Sequence, residues 1–130
     1  MVSFLLGDLL VRLKNASILK LKNVLVLNSK FSLNILWILY ELGFLAGFKI
    51  LNIKFINVFL RYSFGLSAFR HITLISKPTR RVYIKSFNFK KNLYKQNYNS
   101  FFILSTNKGI ITDKVAILLN VGGELLFEVY

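Results

Sequence analysis

Cysteine is absent from this sequence, which excludes disulfides, thiol nucleophiles and cysteine-based zinc sites together. Histidine occurs once, at His71, so no histidine cluster can gather around a metal ion and metal catalysis is not expected. Acid is almost as scarce. Asp8, Glu41, Asp113, Glu124 and Glu128 are the five carboxylates, widely spread, and a catalytic pair would have to be assembled from groups that already read as helix-end or strand-surface residues. We therefore read no active site, no cofactor and no small-molecule substrate. Long apolar runs are missing as well. The most apolar helical stretch is interrupted by Ser32, Asn34 and Glu41, and its uninterrupted part is well short of the roughly 18 to 20 residues a bilayer demands. No membrane insertion is expected.

What remains is base and hydrophobe. Eighteen Lys and Arg oppose five acids for a net charge of +13, an excess that points to a polyanionic partner, either nucleic acid or an acidic membrane surface. A hydrophobic content of 55% over 130 residues suffices for a real core, as one domain or as two small packed modules.

The chain is organised around residues 101–130. Phe101, Phe102, Ile103 and Leu104 form an apolar run of strand length. It stops at Ser105, Thr106, Asn107, Lys108 and Gly109, where hydroxyls, an amide, a cation and a free backbone stand in one polar loop suited to an irregular polar ligand. Thr112 reads as the N-cap and Asp113 as the first-turn acid of a helix about two turns long, with Val115, Ala116, Leu118 and Leu119 as its apolar face. Asn120 and the pair Gly122 and Gly123 can take the positive φ angles that end it. Leu125, Phe127 and Val129 then alternate with Leu126, Glu128 and Tyr130 as a final strand.

Upstream, Leu5, Leu9 and Leu13 recur every four residues in a first helix that Ser3 can cap and Asn15 can end. Asp8 argues against reading this helix as an organelle-targeting peptide. Arg12 and Lys14 either form a solvated helix face or meet phosphate. Residues 24–27 read as a strand, and Ser29 or Ser32 caps a second helix whose inward residues are Ile35, Leu36, Leu39, Leu42 and Phe44. Trp37 and Tyr40 widen that inward face, and Gly43 closes the helix. Two strands over residues 50–62 are expected to turn at Asn57, and residues 63–67 are the candidate link between modules spanning 1–64 and 65–130. Residues 71–76 alternate as a strand, and Pro78 breaks it in the basic turn formed by Lys77, Thr79, Arg80 and Arg81. Tyr83, in the strand that follows, either meets RNA or sits half-buried in its sheet. Residues 85–100 mix lysines with Phe and Tyr, which suits either a platform for single-stranded bases or a connection whose aromatics pack inward.

Several of these strings share a likeness. Ser-Thr-Asn-Lys-Gly at 105–109, Thr112-Asp113 and Gly122-Gly123-Glu124 resemble the carboxyl-terminal signature of small-subunit ribosomal protein eight, with Asn107 where the family usually shows serine. Residues 8–16 resemble that family's first helix. Ser29-Lys30 and Tyr40-Glu41-Leu42-Gly43-Phe44 resemble the start and end of its second helix, and Phe48-Lys49-Ile50 the strand after it. Ser76-Lys77-Pro78 through Arg81-Val82-Tyr83 resembles its proline turn, with Thr79 in place of glycine. The resemblance covers nearly the whole chain in collinear order.

It implies an α+β protein of two small modules, the first helix-strand-helix-strand-strand, the second a mainly antiparallel sheet with one short helix. It implies a non-enzymatic constituent of the ribosome, bound to the central domain of small-subunit ribosomal RNA beside neighbouring ribosomal proteins. The candidate RNA-binding residues are Ser105, Thr106, Asn107, Lys108, Gly122, Gly123, Glu124, Arg12, Lys14, Asn15, Lys30, Lys77, Arg81 and Tyr83. The alternative is a basic protein of membrane surfaces. A bias toward Leu, Phe, Ile, Asn and Lys suggests an organelle gene, with a mitochondrion the first choice and a plastid or a bacterium the others.

Overall fold

The computed structural model describes residues 4–85 and 100–130, so the basic and aromatic residues between them, including Phe87, Lys90 and Tyr94, lie outside the described part. The chain divides into two compact units, residues 1–70 and 71–130.

In the first unit, helix α1 (Leu5–Ile18), strand β1 (Asn23–Leu27), helix α2 (Lys30–Glu41) and strands β2 (Leu45–Ile50) and β3 (Phe55–Leu60) follow one another. The strands form an antiparallel sheet in the order β1-β3-β2. Leu6, Leu9, Leu10, Leu13 and Ala16 make the buried stripe of α1, and Ile35, Leu36 and Leu39 that of α2. With Val26, Ile56 and Val58 from the sheet they form an apolar core. Ser29 accepts the Ser32 N–H at 3.0 Å and so caps α2. Gly43, at φ +88°, ends it, with the Phe44 N–H reaching the Leu39 carbonyl at 3.0 Å.

Asn15 does not end α1. The stripe continues through buried Ala16, and the chain leaves the helix at Lys20, at φ +56°, with the Leu21 N–H on the Ala16 carbonyl at 3.0 Å. Nor does Asn57 turn the hairpin. It sits in mid-β3 opposite Leu25 and Lys49, because Ile56, Val58 and Leu60 on either side of it face the core. The turn belongs to Asn52, whose side-chain oxygen accepts the N–H groups of Lys54 and Phe55 at 2.8 and 2.9 Å. Trp37 and Tyr40 point outward rather than widening the buried face, at 54% and 45% exposure. Residues 63–67 belong to this unit, where β4 (Tyr62–Ser63) and β5 (Leu66–Ser67) pair around Phe64 and Gly65.

The second unit contains β6 (Ile72–Leu74), β7 (Tyr83–Ile84), β8 (Phe101–Thr106), β9 (Gly109–Thr112), helix α3 (Asp113–Leu119) and β10 (Gly123–Val129). The sheet runs β6-β10-β8-β9, and β7 also pairs with β10. Every pairing is antiparallel. A bulge between Leu125 and Phe127 lets Leu125, Leu126 and Phe127 all be buried, where strict alternation would have turned Leu126 outward. Residues 105–109 are less of a loop than the sequence suggests. Strand pairing runs to Thr106 and resumes at Gly109, leaving only Asn107 and Lys108 in the turn. In α3, Thr112 caps the start and Asn120, at φ +54°, ends it. The helix packs through Ala116 and Ile117 against Phe102, Leu104 and Leu125, while Val115, Leu118 and Leu119 are exposed. A seven-residue helix with one buried alanine has too narrow a contact for the broad face its leucines imply. Among the described residues no helix is long and apolar enough to cross a membrane.

Asp113 is buried at the start of α3, with Oδ1 unpartnered. Burial raises its pKa, against the opposing pull of the Lys114 and Phe102 backbone N–H groups and the Lys114 charge. The folded protein therefore holds this proton more tightly than the unfolded chain, and the stability it confers falls as pH rises through the raised folded pKa. As pH rises from about 4, Asp113→Asn should gain on the wild type in unfolding free energy and then level off once the buried carboxyl has titrated, measured by urea titration at several pH values. A difference that stays flat across that range would rule out the buried carboxylate as its source.

Candidate nucleic-acid interface

The start of β10 gathers most of the expected site. Glu124 lies directly opposite Ser105 on β8 and opposite Tyr83 on β7, so these three side chains form a row across one face of the sheet. Gly123, one residue earlier, is demanded by proximity and not by dihedral angle. A Cβ there would lie 2.2 Å from the Ser105 carbonyl oxygen and 2.9 Å from the Thr106 methyl carbon. Of the residues expected to make the left-handed turn, Asn120 makes it and Gly122 and Gly123 do not.

Glu124 anchors the proline turn to the sheet. Its Oε1 accepts the Ser76 hydroxyl at 2.7 Å and an Arg81 guanidinium N–H at 3.0 Å, and Ser76 in turn accepts the Val82 N–H at 3.2 Å. The turn is closed by reciprocal backbone bonds between Lys77 and Arg80, at 2.9 and 3.0 Å. Buried Ser76 is thus a positioning residue that sequence reasoning passed over as a site, although its place before Lys77-Pro78 was a signal. The turn leaves Lys77 exposed and holds Tyr83 at 70% exposure, so its ring is open to solvent rather than half-buried. A cleft of about 530 Å³ opens beside it, lined by Tyr83, Ile84, Lys85, Gly122 and Gly123.

Along the β8–β9 hairpin the four polar residues divide by what their groups are already doing. The Thr106 hydroxyl donates to the Gly109 carbonyl at 2.9 Å and accepts the Lys108 N–H at 3.1 Å, holding the turn shut. Asn107 and Lys108 are exposed at the tip. The Ser105 hydroxyl, in the row with Glu124 and Tyr83, makes no bond to another described residue, so its donor and acceptors are open.

The remaining candidates belong to the first unit. Arg12 is committed there, with Nε on Asp8 at 3.0 Å and Nη1 on the Leu25 carbonyl at 3.0 Å, which ties α1 to β1. Lys14, Asn15 and Lys30 are exposed on the two helices.

A sheet row with an open hydroxyl and an exposed aromatic ring, flanked by a tip amide and exposed lysines, has the chemistry that suits a polar, anionic partner. The profile of the family described as Ribosomal protein S8 matches residues 5–130, and the chain belongs to that family. Among its relatives, the small ribosomal subunit protein uS8m of Acanthamoeba castellanii is 42% identical over 82% of this chain and 83% of its own. The uS8 protein of Campylobacter hominis is 38% identical over 100% of both chains. The uS8c protein of Euglena longa is 37% identical over 95% of both.

Two glycines separate close approach from mere presence. Gly123→Ala should cost about 1–3 kcal/mol of stability, because the intruding methyl meets backbone and not a flexible side-chain end. Gly47→Ala, on edge strand β2 with nothing within 4 Å of its added carbon, should stay within about 0.5 kcal/mol of wild type. Thermal melts of the two variants would contradict the assignment if their losses were equal.

Proposed function

We propose that this protein works in the small ribosomal subunit by binding the central domain of the small-subunit ribosomal RNA and supporting its assembly beside neighbouring ribosomal proteins. The observation that carries the reading is the row of Tyr83, Glu124 and Ser105 next to the Asn107–Lys108 tip, in a chain of net charge +13 that belongs to the Ribosomal protein S8 family. Structured RNA is recognised through sugar hydroxyls, phosphates and exposed bases at irregularities, and short polar groups backed by cations suit those features. Ser105 reads a base edge or a ribose hydroxyl, Tyr83 stacks, and Lys77, Lys108 and the unpaired edge of Arg81 face phosphate. Glu124, Gly122, Gly123 and Thr106 hold these groups in place. Lys14, Asn15 and Lys30 are assigned to a second, weaker contact made by the first unit.

The mitochondrial ribosome is the proposed setting. It is favoured by the relative named uS8m and by the residue bias of the chain, whereas plastid and bacterial ribosomes are the alternatives that the uS8c and uS8 relatives keep open. Cell fractionation followed by detection of the chain in purified small subunits decides among them.

Filter binding to a central-domain RNA fragment at several salt concentrations tests the roles. If about five phosphates are neutralised, the slope of log K against log salt is near −4. Ser105→Ala should cost on the order of 1–2 kcal/mol against this RNA and leave weak binding to an unrelated duplex unchanged. Lys108→Ala should weaken both and flatten the slope by about one unit. For Thr106→Ala, any loss of affinity should track a lower melting temperature, since that hydroxyl is spent inside the turn. A slope near zero, or a Ser105 variant that binds both RNAs as well as wild type, would remove the proposed reader.

A further inference from the structure

The first unit carries a surface that joins exposed aromatic rings to a carboxylate. Trp37, Tyr40 and Glu41 stand together on the outer side of α2, Trp37 and Glu41 one turn apart on the same helix face. The Trp37 ring lies perpendicular to two neighbours, at 80° and 6.1 Å from Tyr40 and at 89° and 5.3 Å from Phe48 on β2. More than half of the Trp37 side chain and nearly half of Tyr40 remain open to solvent. Glu41 is exposed and forms no ion pair with another described residue. The only other acid of this unit, Asp8, is already bound to Arg12.

An exposed tryptophan braced by two further aromatic rings is costly to leave in water, and rings of this kind are the anchors that dominate protein interfaces. The unpaired carboxylate beside them selects the partner. Phosphate would be repelled by Glu41, whereas a guanidinium or ammonium can lie on the open rings of Trp37 and Tyr40 and pair with Glu41 at the same time. We propose that the Trp37–Tyr40–Glu41 corner is a docking site for an arginine- or lysine-bearing segment of a neighbouring protein. Charge complementarity supports a protein occupant over RNA, since this is where a chain of net charge +13 places a free carboxylate next to exposed aromatic surface. Asn34, exposed one turn before Trp37, and Lys49, exposed on edge strand β2, border the site.

Trp37 is the sole tryptophan of the chain, so its emission reports this site directly. The full-length protein is titrated at moderate salt with a short arginine-glycine peptide, with its citrulline counterpart of the same shape but no charge, and with the central-domain RNA fragment. The expected result is a saturable change in Trp37 emission with the arginine peptide. It should be weakened about tenfold or more by Glu41→Lys and by citrulline. RNA should leave the emission unchanged even where filter binding shows that it is bound. Because Glu41 is exposed and pairs with no described residue, the variant should keep its melting temperature, and its RNA affinity should not fall. The RNA reading proposed above is therefore tested separately by the same samples. A second measurement places p-benzoylphenylalanine at Asn34 in assembled small subunits. Irradiation should give a nuclease-resistant adduct with a basic protein segment, lost in the Glu41→Lys background. A response to RNA at Trp37, an arginine response untouched by Glu41→Lys, or an adduct with RNA would overturn the proposal.

Discussion

The second unit depends on one strand, β10, serving three partners at once. It pairs with β8 from Glu124 to Val129, its last three residues also pair with β6 and its first two with β7, and just beyond it His71 and Tyr130 exchange backbone bonds at 2.8 and 3.0 Å. A strand flanked on both sides must satisfy its backbone groups through these neighbours or leave them buried and unpaired. Two local choices follow. The chain has no side chain at Gly123, where β8 closes to within contact of the backbone, and it turns a carboxylate toward the proline turn at Glu124, where the Arg81 guanidinium and the Ser76 hydroxyl share it as acceptor. The bulge at Leu126 serves the same end, because it buries three successive residues of the strand that forms the middle of the sheet.

The same constraint sorts the positive charge. Two arginines at the expected site positions are held by acids, Arg12 by Asp8 and Arg81 by Glu124, and each also ties sequence-distant segments together. Exposed ion pairs of this kind contribute little, about 0–1 kcal/mol each, to folding stability. Their consequence is geometric. A planar guanidinium with several donors can brace a turn and still present an edge to solvent, which a lysine ammonium cannot do as well. The lysines at 14, 30, 77 and 108 stand exposed, and as flexible point charges they suit phosphate, whose contacts position a protein without reading sequence.

Much of the first unit and of the final strand was legible in the residues. The Ser29 and Thr112 caps, the Gly43 and Asn120 terminators and the order helix-strand-helix-strand-strand follow from side-chain chemistry that acts within a few residues. What was misread depends on distance. Asn57 has the composition of a turn residue, and only its pairing with both β1 and β2 shows that it lies in a central strand. Ile110 and Ile111 are too short a run to mark a strand, and only Ile103 and Leu104 standing opposite Thr112 and Ile111 show that they belong to one. The exposed leucines of α3 and the outward rings of α2 share one cause: helical periodicity identifies residues on a face but does not say how wide a face the partner can cover.

The candidate site shows the same limit at the scale of single atoms. From composition alone the hydroxyls of Ser105 and Thr106 are equivalent, adjacent and equally able to meet an RNA ribose. In the hairpin they differ because a hydroxyl has one proton to give. Thr106 gives it to Gly109, in a turn where Gly109 takes φ +105° and Thr106 can reach across. Ser105 is one residue further from the turn and, by strand alternation, faces the opposite side of the sheet, where Glu124 is already occupied by Ser76 and Arg81 and makes no claim on it. The acid that secures the proline turn thereby leaves its neighbour's hydroxyl without a claim from the described residues.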